Sequence, residues 1–102
     1  MLADLQTLLL GDALSAASRE QLTTWLRATS TGTEQLRAGI PAGWRVGDKT
    51  GSGANRESND IAIIWPPQRK PLLVTAYYAG SMADSSERHA VLAEVGRIAA
   101  SI

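Results

Sequence analysis

The sequence predicts an α/β protein in which an antiparallel sheet of three strands is covered by helices on both faces. Three strand-like segments lie between residues 44 and 78, and the short turns that join them make neighbouring strands antiparallel. The second and third segments are apolar on successive residues, which indicates a sheet that is buried on both faces. Helical periodicity before and after the strands supplies the two covering layers.

Size and composition limit the chain to one modest domain or to part of one. It has 102 residues, ten basic and ten acidic side chains, one histidine and no cysteine. The charges are interspersed, so we expect neither a nucleic acid nor a membrane as a partner. A single histidine, His89, cannot build a histidine metal site, and no metal or organic cofactor is implied. No leader or membrane-spanning run is visible, so any export signal is expected upstream of Met1.

Helical spacing predicts two helices in the first third of the chain. The first ends at Gly11 and has its apolar residues at Leu2, Leu5, Leu8 and Leu9. The second begins at a capping box formed by Ser18 and Gln21. One face of this second helix carries Leu22, Trp25, Leu26 and Thr29. After a break at residues 30–33, residues 34–38 are expected to form about one helical turn.

Extended segments and a final helix follow. The period changes from helical to extended at Ala42, and further strands are predicted over residues 61–65 and 72–78, with a polar turn over residues 53–58. Asp84 and Glu87 form an N-cap signature for the last helix. Its predicted apolar stripe consists of Val91, Val95, Ile98 and Ile102, widened by Leu92 and Ala99.

The residue choices of the first strand, Val-Gly-Asp-Lys-Thr-Gly-Ser-Gly at positions 46–53, make little sense as packing alone. Glycine weakens a strand and usually marks the close approach of a ligand or another backbone. Lys49 offers an ammonium group and Thr50 a hydroxyl group, while Gly51 bares the backbone beyond them. Together these groups suit a carboxylate and a developing oxyanion. A glycine-rich hairpin end with a solvated lysine is the alternative.

The order of these parts resembles the C-terminal part of a class A serine β-lactamase, over essentially the whole chain. The shared features are a capped helix with Trp25, a turn through residues 42–44, the Lys-Thr-Gly strand, Asn59-Asp60 at the next strand, a Trp65-Pro66 turn and a capped last helix. Residues 1–102 are therefore expected to form the C-terminal α/β portion of the β-lactamase domain. The resemblance implies β-lactam hydrolysis by serine acylation and water-driven deacylation.

Only one of the family's motifs is present in this chain. The lysines are Lys49 and Lys70, so no serine has a lysine three residues after it. Ser58-Asn59-Asp60 resembles the Ser-Asp-Asn motif of the family but has the order reversed and follows Lys-Thr-Gly. The nucleophile, its bases and the deacylating glutamate are expected N-terminal to Met1, and the chain alone is expected to be inactive.

The resemblance assigns a wall of the substrate site to this chain. It implies that Lys49 and Thr50 bind the substrate carboxylate, that the Ser52 backbone N–H is an oxyanion-hole donor, and that Gly51 lies against the substrate. Thr31 is similar to a position that lines the same pocket, although a helix-ending threonine is the alternative. Arg37 and Asp48 are interpreted as a structural pair, because a buried aspartate needs a partner.

The resemblance also implies an arginine near the motif as a second carboxylate partner. The positions where the family places it are Ser58, Gln35 and His89 here, so Arg88 or Arg56 is the possible substitute, unless both are surface charges. The complete enzyme is expected to be periplasmic or secreted.

Two other readings of the function stay open. One is a penicillin-binding, transpeptidase-like domain, and the other is an inactive truncated or split fragment. The third strand and the apolar residues Leu5, Leu9, Leu22 and Leu26 are expected to be uncovered in this chain, which predicts self-association or binding to the N-terminal part as a second chain.

Overall fold

The computed structural model describes residues 1–102 and contains three α-helices, two short helical turns of other types and three strands. The helices are α1 (Leu2–Leu5), which continues as a π-helical turn (Gln6–Leu10), α2 (Ala16–Ala28) and α3 (Ser85–Ala100). A 3₁₀ helix (Leu36–Gly39) lies between α2 and the sheet. The strands are β1 (Arg45–Ser52), β2 (Ser58–Trp65) and β3 (Leu72–Tyr78).

The three strands form one antiparallel sheet in the order β1-β2-β3, as predicted. β2 is central, and its register places Asp60 opposite Thr50 of β1 and Ala76 of β3. Because side chains alternate along a strand, each such row of residues points to one face of the sheet. β1 and β3 are the two edge strands, so the strand that carries Lys-Thr-Gly has one unpaired backbone edge within this chain.

Helices cover both faces of the sheet, which confirms the predicted layer order. On one face, the 3₁₀ helix and α3 pack on the sheet around the core residues Leu36, Ile40, Val46, Ala62, Ile64, Ala76 and Leu92. On the other face, Leu5 and Leu9 of the first helical segment pack on Ile63, beside the partly buried Leu22 and Leu26 of α2. The prediction that these four leucines are uncovered in this chain was therefore wrong, since they meet the sheet itself.

The second helix begins earlier than its predicted capping box. Its N-cap is Ser15, whose hydroxyl accepts the Ser18 N–H at 3.1 Å, so Ser18 is a residue of the first turn rather than the cap. Trp25 is 64% exposed and does not belong to the packed face. It lies about 100° around the helix from Leu26, whereas Leu22 and Leu26 pack on the cluster that contains Ile63 of the sheet.

The packed face of α3 also differs from the predicted stripe. The buried residues are Leu92, Gly96 and Ala99, whereas Ile98 and Ile102 are 51% and 77% exposed. Gly96 lies against the Leu36 carbonyl of the 3₁₀ helix, where an added Cβ would collide with the oxygen. The predicted Leu92, Ala99 and Val95 do pack on the core, whereas Gly96 was missed because the closest approach of the two helices requires the smallest residue.

The N-cap of α3 is as predicted, since the Asp84 carboxylate accepts the Glu87 N–H at 2.9 Å. β2, in contrast, begins at Ser58 rather than at residue 61. The three polar residues 58–60 continue the ladder opposite Thr50, Gly51 and Ser52. Their polarity suggests a turn, but Ser58 and Asp60 are buried and find partners that only the folded chain supplies.

Replacing Gly96 with alanine is expected to destabilise the fold by about 1–3 kcal/mol, because the new methyl group would push α3 away from the Leu36 carbonyl. Helix propensity alone favours alanine by about 1 kcal/mol, so the sign of the change separates the two effects. Unfolding in urea measures it. Gly51→Ala is the control, since no atom lies within 4 Å of a Cβ at that position. Equal or higher stability of Gly96→Ala would contradict the close approach.

Candidate functional site

The predicted motif lies on the exposed second half of the edge strand β1. Lys49 is exposed, and its Nζ donates to the Thr50 carbonyl oxygen at 2.9 Å. None of the ion pairs of the structure includes Lys49. An ammonium group that contacts only a neutral oxygen of its own strand is free to bind an incoming anion.

Thr31 lies beside Thr50, although nineteen positions separate them in the sequence. Their Oγ atoms are 2.9 Å apart, and either hydroxyl can be the donor. Thr31 follows α2 in the turn over residues 31–35, and this turn lies against β1 at Asp48 and Thr50. Two hydroxyl groups are therefore presented together at the exposed end of the strand, next to the ammonium group of Lys49 in the sequence.

Gly51 and Ser52 complete the exposed end of β1. No atom lies within 4 Å of a Cβ built on Gly51, so the strand is open to an approaching molecule at this point. Gly47, the other glycine of the motif, instead faces Leu26 of α2, whose Cβ would lie 3.1 Å from the added Cβ. One glycine thus accommodates a neighbouring helix and the other leaves the motif uncovered. Ser52 is exposed, pairs with Ser58 and ends the strand.

Arg37 and Asp48 form a buried ion pair on the inner side of β1. The Arg37 Nη2 and Nε atoms donate to Asp48 Oδ1 at 2.7 and 3.2 Å. Thr29 Oγ also contacts Asp48 Oδ1 at 2.9 Å. Asp48 is fully buried, whereas the Arg37 side chain is 24% exposed. Thr29 and Arg37, the two residues that flank residues 30–36, are therefore both bound to the carboxylate of Asp48.

Asp60 is a second buried acid beside Asp48, and the sequence pattern assigned it no role at the site. It is fully buried, and its Oδ2 accepts the Leu36 N–H at 3.1 Å. Burial, followed by a hydrogen bond and charge repulsion with Asp48, raises the pKa of Asp60 to about 8. The sequence contained one signal for this burial. Asp60 lies at the start of the apolar run of β2 and opposite Thr50, and the alternation of side chains along the strand places it on a covered face of the sheet.

Arg88 reaches the same end of the sheet from α3. Its Nε donates to Ser58 Oγ at 3.0 Å, and its Nη1 donates to the Ala83 carbonyl at 2.7 Å. Ser58 is the cross-strand partner of Ser52, so this guanidinium group lies near the end of the motif. Arg56 is exposed and donates to the Met82 carbonyl at 3.2 Å. His89 Nδ1 lies 3.8 Å from Glu34 Oε2.

None of the surface depressions of the chain is lined by Lys49, Thr50, Gly51 or Ser52. One of about 550 Å³ is lined by residues 54–56 and 79–80, at the turns that end β1 and β3. Another of about 430 Å³ lies between α2 and the start of β1. The chain holds no group of three or more acidic or histidine side chains with the spacing of a metal site. None of its helices combines the length and the hydropathy required to span a bilayer.

Comparison with known proteins identifies the family. The family model described as β-lactamase enzyme family matches residues 1–102. A β-lactamase of Citrobacter koseri is 46% identical over 98 residues, which is 96% of this chain and 33% of that protein. The β-lactamase AST-1 of Nocardia asteroides is 45% identical over 94% of this chain and 31% of its own length.

Solved structures agree with this match. An ancestral class A β-lactamase is 61% identical, with a TM-score of 0.94 over 96% of this chain and 38% of that chain. A putative class A β-lactamase of Rhodopseudomonas palustris is 51% identical, with a TM-score of 0.95 over 100% of this chain and 40% of that one. The chain belongs to the β-lactamase enzyme family and matches its class A members. It spans about a third of the length of the curated relatives.

We expect Arg37→Met to destabilise the fold by about 3–5 kcal/mol, because it leaves the buried carboxylate of Asp48 without its cation. The free energy of unfolding in urea is the measurement. Arg97→Met is a matched control, since Arg97 pairs with Glu94 on the exposed surface of α3 and its loss should not change the unfolding midpoint measurably. Similar midpoints for the two variants would show that the inner pair does not hold β1.

Proposed function

We propose that this chain supplies the substrate-binding wall of a β-lactam-hydrolysing enzyme. The observation that carries the proposal is the uncovered end of β1, where Lys49, Thr50 and Gly51 are presented with Thr31 beside them. In the proposed reaction, a serine supplied outside residues 1–102 attacks the β-lactam carbonyl, and water then hydrolyses the acyl-enzyme. Membership of the β-lactamase enzyme family supports this chemistry.

Each group of the wall has a role that follows from its chemistry. The Lys49 ammonium and the hydroxyl groups of Thr50 and Thr31 bind the carboxylate of the substrate, since cations and hydroxyl donors together satisfy carboxylate oxygens. The backbone N–H of Ser52 donates to the oxyanion that forms on the lactam carbonyl. β1 suits this role because it is an edge strand, and alternate N–H groups of an edge strand point away from the sheet.

Arg88 is the arginine that best suits the second carboxylate contact. Its Nε is held on Ser58, directly across the ladder from Ser52, whereas the Arg56 guanidinium group is held at Met82. A guanidinium group fixed by two hydrogen bonds loses less entropy when it binds a carboxylate than a free surface arginine does.

The proposed partner of this chain is the nucleophile-bearing part of the same enzyme, either in one polypeptide or as a second chain. Large apolar side chains remain exposed at Leu2, Leu10, Trp25, Tyr77, Val91, Ile98 and Ile102. Scattered apolar residues are normal on a monomer, but Tyr77 lies on the edge strand β3, where a further strand could pair. The complete enzyme is proposed to act in the periplasm or outside the cell.

The polypeptide of residues 1–102 alone is expected to hydrolyse no β-lactam. No serine in it has a lysine three residues later, so the pair that activates the nucleophile is absent. Incubation with a chromogenic cephalosporin measures the activity against buffer. Turnover that survives repurification and disappears in Lys49→Ala would overturn this expectation and the assignment of the wall.

In the complete enzyme, Lys49→Ala is expected to lower kcat/KM about 10²–10³-fold, because it removes a charged partner of the bound anion. Lys49→Arg should keep part of the activity, since it keeps the positive charge. Lys70→Ala is the matched control, as Lys70 lies in the turn between β2 and β3, away from the motif. If Lys49→Ala and Lys70→Ala gave the same kcat/KM, Lys49 would not belong to the site.

A further inference from the structure

Two buried carboxyl groups lie on the inner side of β1 and β2, and one of them, that of Asp48, is bound to the Arg37 cation. Asp48 and Asp60 are both fully buried, and Asp48 lies close enough to contribute, after burial itself, to the raised pKa of Asp60. Asp48 Oδ2 and Asp60 Oδ1 find no N–H or hydroxyl donor among the other side chains and the backbone. A hydrogen bond between two carboxyl groups requires a proton on one of them, because carboxylates have no donor.

The surroundings determine which group carries the proton. Asp48 Oδ1 accepts from two Arg37 nitrogen atoms and from the Thr29 hydroxyl group. Asp60 Oδ2 accepts only the Leu36 N–H. Desolvation therefore acts on Asp60 with little compensation, and a proton on Asp60 Oδ1 would supply the donor that Asp48 Oδ2 lacks.

The other charged groups around the pair leave this balance unchanged. From α3, Arg88 is bound to Ser58 and Ala83, and His89 lies against Glu34, whose carboxylate is exposed. From α2, Arg27 lines the same cleft as Arg37. Lys49 points to the opposite face of β1 from Asp48, because neighbouring residues of a strand alternate.

The acid pair holds the segment that carries Thr31. The Thr29 hydroxyl group contacts Asp48, and the Leu36 N–H donates to Asp60. The first and the last residue of the segment 29–36 are therefore each bound to one of the two acids. Gly32, in the middle, is so close that an added Cβ would collide with Asp48 Oδ2. At the tip of this segment, Thr31 Oγ lies 2.9 Å from Thr50 Oγ.

We propose that Asp60 is a positioning residue whose carboxyl proton, donated to Asp48, holds Thr31 beside Thr50 on the substrate-binding wall. Loss of the proton places a second negative charge beside Asp48 without a second cation. The two carboxylates then repel each other, and the segment of residues 29–36 is released from β1. The consequence for substrate binding rests on the proposed function, whereas the shared proton and the segment it holds do not.

Asn and Ala variants of Asp60 distinguish the shared proton from ordinary packing. In Asp60→Asn, the amide keeps a donor for Asp48 Oδ2 and an acceptor for the Leu36 N–H, and it cannot ionise. In Asp60→Ala, both contacts are lost at every pH. Asp12→Asn, at an exposed aspartate before α2, is the matched control.

The first two measurements need no catalytic activity and use the complete enzyme. A ¹³C-labelled Asp60 carboxyl group is expected to titrate near pH 8, where the folded protein holds the pKa of this group. Hydrogen exchange of residues 29–36, referred to residues 72–78, is expected to accelerate above pH 8 in the native enzyme but not in Asp60→Asn. Titration of Asp60 near pH 4, or equal exchange in the two proteins, would overturn the proposal.

The third measurement is KM for a carboxylate-bearing β-lactam as a function of pH. At pH 9, one unit above a pKa of about 8, about one-tenth of the molecules keep the proton, so KM is expected to rise about tenfold. Asp60→Asn should keep its neutral-pH KM, Asp60→Ala should have a raised KM already at pH 7, and Asp12→Asn should follow the native profile. If Asp60→Asn behaves like Asp60→Ala, the proton does not position the wall.

Absence of any hydrolysis, with the titration and exchange as expected, would refute the proposed function and leave the positioning role intact.

Discussion

The buried pair of Arg37 and Asp48 is the interaction on which the edge of this sheet depends. A carboxylate removed from water must find donors inside the protein, and Asp48 finds them in Arg37 and Thr29. These two residues belong to different segments, one in the 3₁₀ helix and one just after α2. A single carboxyl oxygen therefore joins the motif strand, the end of α2 and the 3₁₀ helix.

The alternation of side chains along β1 explains why exposed groups follow directly after the buried Asp48. Asp48 and Lys49 are neighbours on β1, so burial of the first turns the second to the opposite face. β1 is also an edge strand, and its outer half is uncovered at Gly51. Thr50 shares the face of Asp48, so Lys49 and Thr50 point to opposite faces of β1. The wall therefore lies at the uncovered edge of the strand, where groups from both faces are accessible, and the inner contacts of Asp48 fix that edge.

Leu36 connects the buried acids to α3. The Leu36 N–H binds Asp60, its side chain lies in the core, and its carbonyl lies against Gly96 of α3. Raising the charge of the acid pair would therefore act on the contact that fixes α3 as well as on the segment with Thr31. A buried polar network has this effect because each of its members is satisfied by a partner on a different element.

The sequence alone determined the elements that depend on local pattern. The three strands and their antiparallel order follow from apolar runs and short turns, and the N-cap at Asp84 follows from a side chain three residues from its donor. The chemistry-bearing strand was recognisable from residues 46–53 for the same reason. The packed faces of α2 and α3 were not, since Trp25 and Ile98 are as apolar as the residues that pack.

Only the tertiary structure decided which polar groups are buried and what they meet. Thr31 and Thr50 are nineteen positions apart, and Asp60 and Leu36 twenty-four, so no local period relates them. The protonation of Asp60 depends on desolvation and on the distance to Asp48, neither of which exists before the strands pair. Composition and periodicity specify which face of an element is apolar, whereas the electrostatics of a buried site arises from groups that folding alone brings together.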